Sequence, residues 1–296
     1  MSRAVRLYLT GADGMLGTAL TTALADNPDT ADWDIRGVSV RDFDIADGTA
    51  VQASVAAFAP DVVVHAAAHA IVDDCELDPK LALRVNIAGV RNVVDACARH
   101  GSRLVYISSD YVFDGVRTPA GGYREDDIPN PQSVYGLTKV AGERMVALLD
   151  DHLTVRTSWL FGGTDERLDT VLAILGHARR GTPARLIDDQ FSAPTYTVDL
   201  ARALAFLLTY ATVTGTIHVA NRGTASWYQV GEYLTGRIPD APAPQRVPLR
   251  EWGFLGGRPI DSTLNTDRLS GLGWSMPTWQ DAVDRFHLSL VQGDRR

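Results

Sequence analysis

The chain has 296 residues, a formal net charge of −8, and 45% hydrophobic and 22% charged residues, an ordinary balance for a soluble globular protein with one large core or two modest ones. The negative charge argues against a nucleic-acid backbone or an anionic membrane as partner, yet leaves room for a local basic pocket that takes a small phosphorylated ligand. No apolar run approaches the roughly 20 residues of a membrane span. Cys75 and Cys97 have neither a disulfide framework nor metal-ligand spacing, so both read as buried thiols in a reducing cytosol.

Val5 to Thr10 alternates and is rich in β formers, which predicts a first strand. The segment is too short for a signal core, and a cytoplasmic location is expected. It meets Gly11-Ala12-Asp13-Gly14-Met15-Leu16-Gly17 and then a helical run from Thr18 to Ala25. Glycines three apart between a strand and a helix let the backbone approach a pyrophosphate, and the helix N-terminus supplies N–H donors to the anion. A second strand is expected over Asp34 to Val40, ending Ser39-Val40-Arg41-Asp42. In dinucleotide folds an acid at this end binds the ribose 2′-hydroxyl, whereas small polar and basic residues accept a 2′-phosphate. Ser39 and Arg41 favour NADPH; Asp42 keeps NADH open, and a plain solvated charge is the other reading of Arg41.

A helix over Thr49 to Phe58 precedes Val62-Val63-Val64-His65, a buried parallel strand. Ala66, Ala67 and Ala68 suit a place where backbone packs against a flat ligand. His65 and His69 read as hydrogen-bonded packing residues in preference to catalysts. A long helix is predicted from Pro79 to His100, capped by Gly101, with Asn86 inside it anchoring neighbouring backbone. The fourth strand, Arg103 to Ile107, delivers Ser108 to Gly115 at its carboxyl end, where open α/β sheets bind ligands. Turn chemistry is the plain alternative for Ser108 and Ser109.

After an irregular rim from Thr118 to Gln132 comes a helix from Tyr135 to about Leu149. Tyr135 and Lys139 lie one turn apart on one face. An ammonium beside a phenol favours phenolate, which makes the pair a proton donor and acceptor suited to carbonyl reduction. In isolation such a pair is commonplace; its setting gives it weight. A strand over Leu153 to Thr157 leads to Trp159, read either as a stacking platform for a sugar or base or as a core aromatic. Helices near Leu168 to Arg180 and Val198 to Tyr210, and a strand at Thr216 to Ala220 returning to the main sheet, complete the predicted elements; the tail from Asn221 reads as short helices and proline-rich turns. The alternation predicts an α/β fold, a Rossmann-like doubly wound parallel sheet, with residues 1–157 and 196–220 binding a dinucleotide. Residues 158–195 and 221–296 are expected to form a smaller, interleaved substrate-binding subdomain.

Together, Gly11 to Gly17, Ala66 to Asp73, Ser109 to Gly115, Tyr135 to Lys139, Arg156 to Trp159, Asp189 to Thr195 and Arg258-Pro259 resemble the extended short-chain dehydrogenase/reductase superfamily. Within it, the Ser109 to Gly115 and Asp189 to Thr195 runs resemble the dTDP-4-dehydrorhamnose reductase family over nearly the whole chain. The resemblance implies NADPH-dependent reduction of the C4 keto group of a dTDP-linked ketosugar. It implies that Tyr135 protonates the keto oxygen, that Lys139 lowers the Tyr135 pKa and binds the nicotinamide ribose, and that Ser109 orients the carbonyl. By the same matching, Gly11, Asp13, Gly14, Met15, Leu16 and Gly17 hold the cofactor with Ala66 to Ala68, and Asp44 and Ile45 lie beside the adenine. Val72, Asp110, Tyr111 and Trp159 line the sugar site, and Arg258 meets the diphosphate. Some relatives dimerise with Mg²⁺, so a homodimer is left open, but no ligand cluster in the sequence calls for a metal. Asp74 stands where a Lys is common and Cys75 where a small residue is usual. Tyr111 after Asp110 disfavours the dehydratase relatives, which place Glu there. The same fold also serves as a non-catalytic NADP-binding regulatory subunit of the methionine adenosyltransferase type, and related 4-ketoreductases act in antibiotic deoxysugar pathways.

Overall fold

The computed structural model describes residues 4–116, 118–210 and 213–293. Its strands are β1 (Arg6–Thr10), β2 (Asp34–Val38), β3 (Val62–His65), β4 (Arg103–Ser109), β5 (His152–Thr157), β6 (Leu160–Phe161), β7 (Arg185–Ile187), β8 (Thr195–Tyr196), β9 (Gly215–His218) and β10 (Gln245–Val247). The helices are α1 (Met15–Asp26), α2 (Gly48–Phe58), α3 (Val72–Leu77), α4 (Pro79–Leu83), α5 (Gly89–His100), α6 (Val134–Val146), α7 (Thr170–Arg179), α8 (Thr197–Thr209), α9 (Trp227–Thr235), α10 (Asp267–Gly271) and α11 (Trp279–Gly293).

Six strands form the main sheet in the order β2-β1-β3-β4-β5-β9, and every neighbouring pair is parallel. Parallel strands need crossover helices, which cover both faces and explain why Val62, Val63 and Val64 are all buried. On one face Leu16, Leu20 and Leu24 of α1 pack with Leu200, Leu204 and Leu207 of α8 against Leu7, Leu9 and Val105. On the other, α2, α5 and the end of α6 cover Tyr8, Val63, Leu104 and Tyr106. The strand order reverses between β1 and β3, and a ligand crevice is expected outside the carboxyl ends at such a point. A separate cluster joins Phe161, Leu172, Leu186, Tyr196, Val230, Trp279 and Phe286, around the parallel pairs β6–β8 and β7–β10.

The predicted α/β sheet, its strand sequence and the return of β9 are present. The differences are local and each has a cause. Helix α1 starts at Met15 instead of Thr18, because extended Gly14 (φ −77°, ψ 169°) is itself the N-cap. The single helix expected over Pro79 to His100 is interrupted by one π-helical turn, Arg84–Ala88. That bulge turns Asn86 back onto the β3–α3 connection, where its Oδ1 accepts from His69 N (2.7 Å) and its Nδ2 donates to His69 O (2.9 Å) and Thr138 Oγ1 (3.0 Å). Strand β4 runs two residues beyond Ile107 and carries Ser108 and Ser109 within the sheet. The tail ends in α11, 15 residues long, not in short helices. Trp279, Ala282, Val283 and Phe286 recur at helical spacing and are all buried, which is what holds it.

Candidate active site

The turn after β1 is tight because Gly11 has φ +71°, and a Cβ there would come within 2.8 Å of Ala67 N. Backbone from β1 and from the segment after β3 therefore close on each other, opening a cleft of about 420 Å³ beyond the sheet. Of the residues expected to hold a cofactor, Gly11, Asp13, Gly14, Ser39, Asp44, Ile45, Ala66, Ala67 and Ala68 line it. Leu16 does not: its side chain is in the core, and Gly17 packs against the Gly11 carbonyl, so both serve the turn. Met15 faces Gly163 and a neighbouring groove instead. Arg41 lies outside the lining, largely in solvent, with its Nε 3.7 Å from Asp13 Oδ2. The Asp42 carboxylate turns back to accept from Ser39 N (2.8 Å), which leaves no acid reaching from this strand end toward a ribose.

Sequence reasoning missed Arg84. It lines the cleft from the π turn, and its guanidinium binds the Asp44 carboxylate, which the Ala46 N–H first and this contact second hold below its ordinary pKa. Only the fold shows this, since the partners are 40 residues apart.

The second half of the site stands at the carboxyl end of β4. Ser133 caps α6 by accepting from Gly136 N (3.1 Å), which sets Tyr135 in the first turn. The Tyr135 ring meets Tyr111 edge-on at 5.9 Å. Burial pushes its phenol well above the ordinary value, and a hydrogen bond with Ser109 opposes the shift. Lys139 is buried one turn on; burial brings its ammonium down to about 8, with Glu143 and Cys75 holding it up. The expectation that Lys139 lowers the Tyr135 pKa is outweighed here, since burial sets the direction upward. Ser109 accepts from Tyr111 N (3.2 Å) and donates to Asp110 Oδ1 (3.1 Å).

Three expected substrate-binding residues behave differently from a simple lining. Asp110 is fully buried, and its Oδ2 accepts from Ser192 (3.0 Å) and Ser262 (2.5 Å). Burial raises its carboxyl to about 6 against these donors. It ties β4 to two distant runs, and its oxygens are engaged within the protein. Arg258 is likewise engaged: Nη2 donates to Asp73 Oδ1 (2.8 Å) and Nη1 to the Gly256 carbonyl (3.0 Å), with the guanidinium over Phe254. Desolvated and paired, it fastens the tail to α3 and is not a free diphosphate partner. Trp159 has φ +42°, a strained conformation for a bulky residue, and stacks on Trp227 at 4.5 Å. Val72 opens α3 and is half-buried, as is Tyr111, whose phenol burial pushes up to about 12.

His65 is a packing residue, as expected. Its Nδ1 is 2.7 Å from Thr10 Oγ1, and burial brings it down to about 3, so it is neutral. Burial also raises both cysteines, Cys75 to about 11 and Cys97 to about 12, leaving inert thiols. Among the described residues no group of three or more His, Cys, Asp or Glu could hold a metal ion, and no helix is long and apolar enough to cross a membrane.

A family model described as RmlD substrate binding domain matches residues 5–291. The chain is 40% identical over 235 residues to a dTDP-4-dehydrorhamnose reductase of Streptomyces griseus, covering 75% of this chain and 72% of that one. The chain belongs to the dTDP-4-dehydrorhamnose reductase family. It is an oxidoreductase of that type. A probable dTDP-4,6-dihydroxy-2-methyloxan-3-one 4-ketoreductase of Streptomyces antibioticus is 34% identical over 94% of this chain and 93% of its own. The crystal structure of a Bacillus anthracis dTDP-4-dehydrorhamnose reductase in complex with NADP superposes with a TM-score of 0.90 at 33% identity, covering 97% of this chain and all of that one.

Proposed function

We propose that this chain uses NADPH to reduce the C4 keto group of a dTDP-4-keto-6-deoxy-L-hexose, converting dTDP-4-dehydrorhamnose to dTDP-L-rhamnose in the cytoplasm. The observation that carries the reading is the hydrogen bond of Tyr135 with Ser109 at the carboxyl end of β4, with Lys139 buried one turn along α6, in a chain of this family. The cleft residues fit a dinucleotide: Gly11 gives close backbone approach, the α1 N-terminus favours an anion, and Ala66 to Ala68 offer a flat wall. Bound NADPH supplies the hydride for C4. Ser39 in the cleft lining, and Arg41 swung from Asp13, take the 2′-phosphate.

Tyr135 gives its proton to the C4 oxygen, and a high phenol pKa in the resting site keeps that proton in place until charge develops there. The Ser109 hydroxyl, turning its one proton from Asp110, donates to the same oxygen and holds it in line. The buried Lys139 ammonium then offsets the negative charge left on the phenol. Trp159, Val72 and Tyr111 bound the sugar, and residues 158–195 with 221–296 cover it. The strained backbone of Trp159 supports a functional post for that ring.

The test is oxidation of NADPH, followed by absorbance, with enzymatically generated dTDP-4-dehydrorhamnose and NMR identification of the product. Formation of dTDP-L-rhamnose is the expected result. Tyr135→Phe is expected to lower turnover by about 10²–10⁴-fold while NADPH affinity stays within a few fold; an unchanged rate sinks the acid assignment. A second reading, a different dTDP-4-ketosugar from a deoxysugar pathway, is supported by the Streptomyces antibioticus relative; it predicts a slow reaction here and a fast one with that sugar. Tight NADPH binding with no turnover on either substrate marks the regulatory, non-catalytic alternative.

A further inference from the structure

Lys139 is nearly buried, with 3% of its surface exposed, and most of its stem lies inside the protein. Among the described residues no hydrogen bond or ion pair within 4 Å reaches its Nζ; it lies instead over the ring of Tyr106, 4.5 Å from the centroid. Other charged or titratable groups act on it from further away. Glu143, one turn along α6, and Cys75 from α3 favour the charged form. Arg156 of β5 is spent on Glu143, His65 of β3 is neutral, and Tyr135 keeps its proton.

The Tyr106 hydroxyl adds nothing to this arrangement by hydrogen bonding. It is buried and unpartnered, and it points at Gly142 of α6, where a Cβ would come within 2.3 Å of it. An orphaned hydroxyl costs stability, and so does a glycine inside a helix. Both costs are met at one spot to seat one ring. What that ring supplies is its face, whose negative quadrupole attracts a cation most strongly when both are desolvated. The ring also has a neighbour in the sheet: Tyr106 is in register with His65, whose ring lies within 22° of parallel at 5.9 Å.

We propose that Tyr106 is a positioning residue that holds the Lys139 ammonium in place, and in its charged state, through the face of its ring. The proposal rests on the reading of Lys139 as the partner of Tyr135 in carbonyl reduction.

The experiment compares three full-length enzymes with the parent: Tyr106→Phe, pentafluorophenylalanine incorporated at position 106, and Lys139→Met. For each, kcat/KM with NADPH and dTDP-4-dehydrorhamnose is measured across pH. Tyr106→Phe keeps the face and sheds the orphaned hydroxyl, so kcat/KM is expected to stay within about twofold and thermal unfolding to move upward. The fluorinated ring keeps the shape and reverses the quadrupole. Its alkaline limb is expected to move acid-ward by roughly one pH unit, with about tenfold lower kcat/KM above the limb and recovery below it. A packing role alone lowers the rate equally at every pH. Should the fluorinated chain fail to fold, Tyr106→Leu is read in the same way. A fluorinated or Leu enzyme with the profile of the Phe enzyme overturns the proposal, and so does a tenfold loss in Tyr106→Phe, which makes the hydroxyl the working part. Lys139→Met keeps the two ideas apart. It is expected to lose turnover throughout, and if it does not, the reading of Lys139 fails first and takes the proposal with it.

Discussion

Glu143 and Arg156 form a buried ion pair at the root of the site, with only 9% and 4% of their side chains exposed. The carboxylate accepts from Arg156 Nε (2.9 Å) and Nη2 (2.8 Å) and from Ser108 Oγ (2.6 Å), so three of its roughly four acceptor sites are filled by donors from β4 or β5. Glu143→Gln keeps the size but loses the charge and turns one acceptor into a donor facing a guanidinium. Breaking one half of such a pair leaves an uncompensated buried charge, at a cost of about 3–5 kcal/mol. At about 2.1 cal/mol/K per residue, a chain of 296 residues unfolds with an entropy near 0.6 kcal/mol/K, so a loss of about 4 kcal/mol lowers Tm by about 6 °C. Removing both partners, Glu143→Met with Arg156→Met, is expected to cost well under the sum of the single losses. Calorimetry of the parent, Glu143→Gln, Glu143→Met, Arg156→Met and the double Met variant measures this directly. Function adds a second readout, because Glu143 helps keep Lys139 charged. The alkaline limb of Glu143→Gln should therefore move toward acid. A Tm within about 1 °C of the parent, or single losses that simply add, refutes the claim that this pair anchors α6.

Arg41→Ala is expected to weaken NADPH binding about tenfold and to leave NADH nearly untouched, as measured by fluorescence titration; equal losses for both cofactors refute the 2′-phosphate assignment. Ser262→Ala removes a donor to the Asp110 carboxylate and is expected to cost about 1–3 kcal/mol of stability at neutral pH. The sign with pH follows from burial, which puts the folded carboxyl near 6 against 3.8 for the ordinary group. The folded chain thus binds the extra proton, so this group's contribution falls as pH rises between those values. Losing the donor raises the variant's carboxyl further, so its deficit is full above that higher value and shrinks as pH falls from there to about 6. Urea unfolding at pH 8 and pH 5 that gives the same deficit refutes the role of the charged form.

Features written in local pattern were legible in the sequence. The Val62 to Val64 run, the Gly11 to Gly17 spacing and the four-residue interval from Tyr135 to Lys139 each encode a backbone requirement within one or two turns. Asn86 was legible as a backbone anchor, although the π turn that aims it was not. What stayed hidden depends on where the chain returns. Arg258 meets Asp73 across 185 residues, Ser262 meets Asp110 across 152, and Arg84 meets Asp44 across 40. In each case one charged or polar residue looked available for a ligand, and the fold had already assigned it a partner. Helix α11 is a different kind of miss, since its apolar spacing was present but lay behind prolines and glycines that suggested turns.

The polar groups of the site also follow one geometric rule. On the face of the sheet covered by α6, β4 presents Leu104, then Tyr106, then Ser108, changing from apolar to polar toward its carboxyl end. The same change occurs in register on its neighbours: Tyr106 lies beside His65, which lies beside Thr10, and Ser108 lies beside Arg156, which lies beside His218. Helix α6 crosses this boundary with Tyr135, Lys139 and Glu143 spaced four apart, a single stripe one turn per residue. Glu143 meets Ser108 and Arg156, Lys139 meets the Tyr106 ring, and Tyr135 reaches the Ser109 end of the strand. A buried charge survives only where something answers it, and here each is answered by the strand residue beneath it. The register of α6 on β4 is therefore set by these contacts, and a slip of one residue would turn Lys139 about 100° away from the Tyr106 ring. The pair that does the chemistry is held in place by the same interactions that make it affordable to bury.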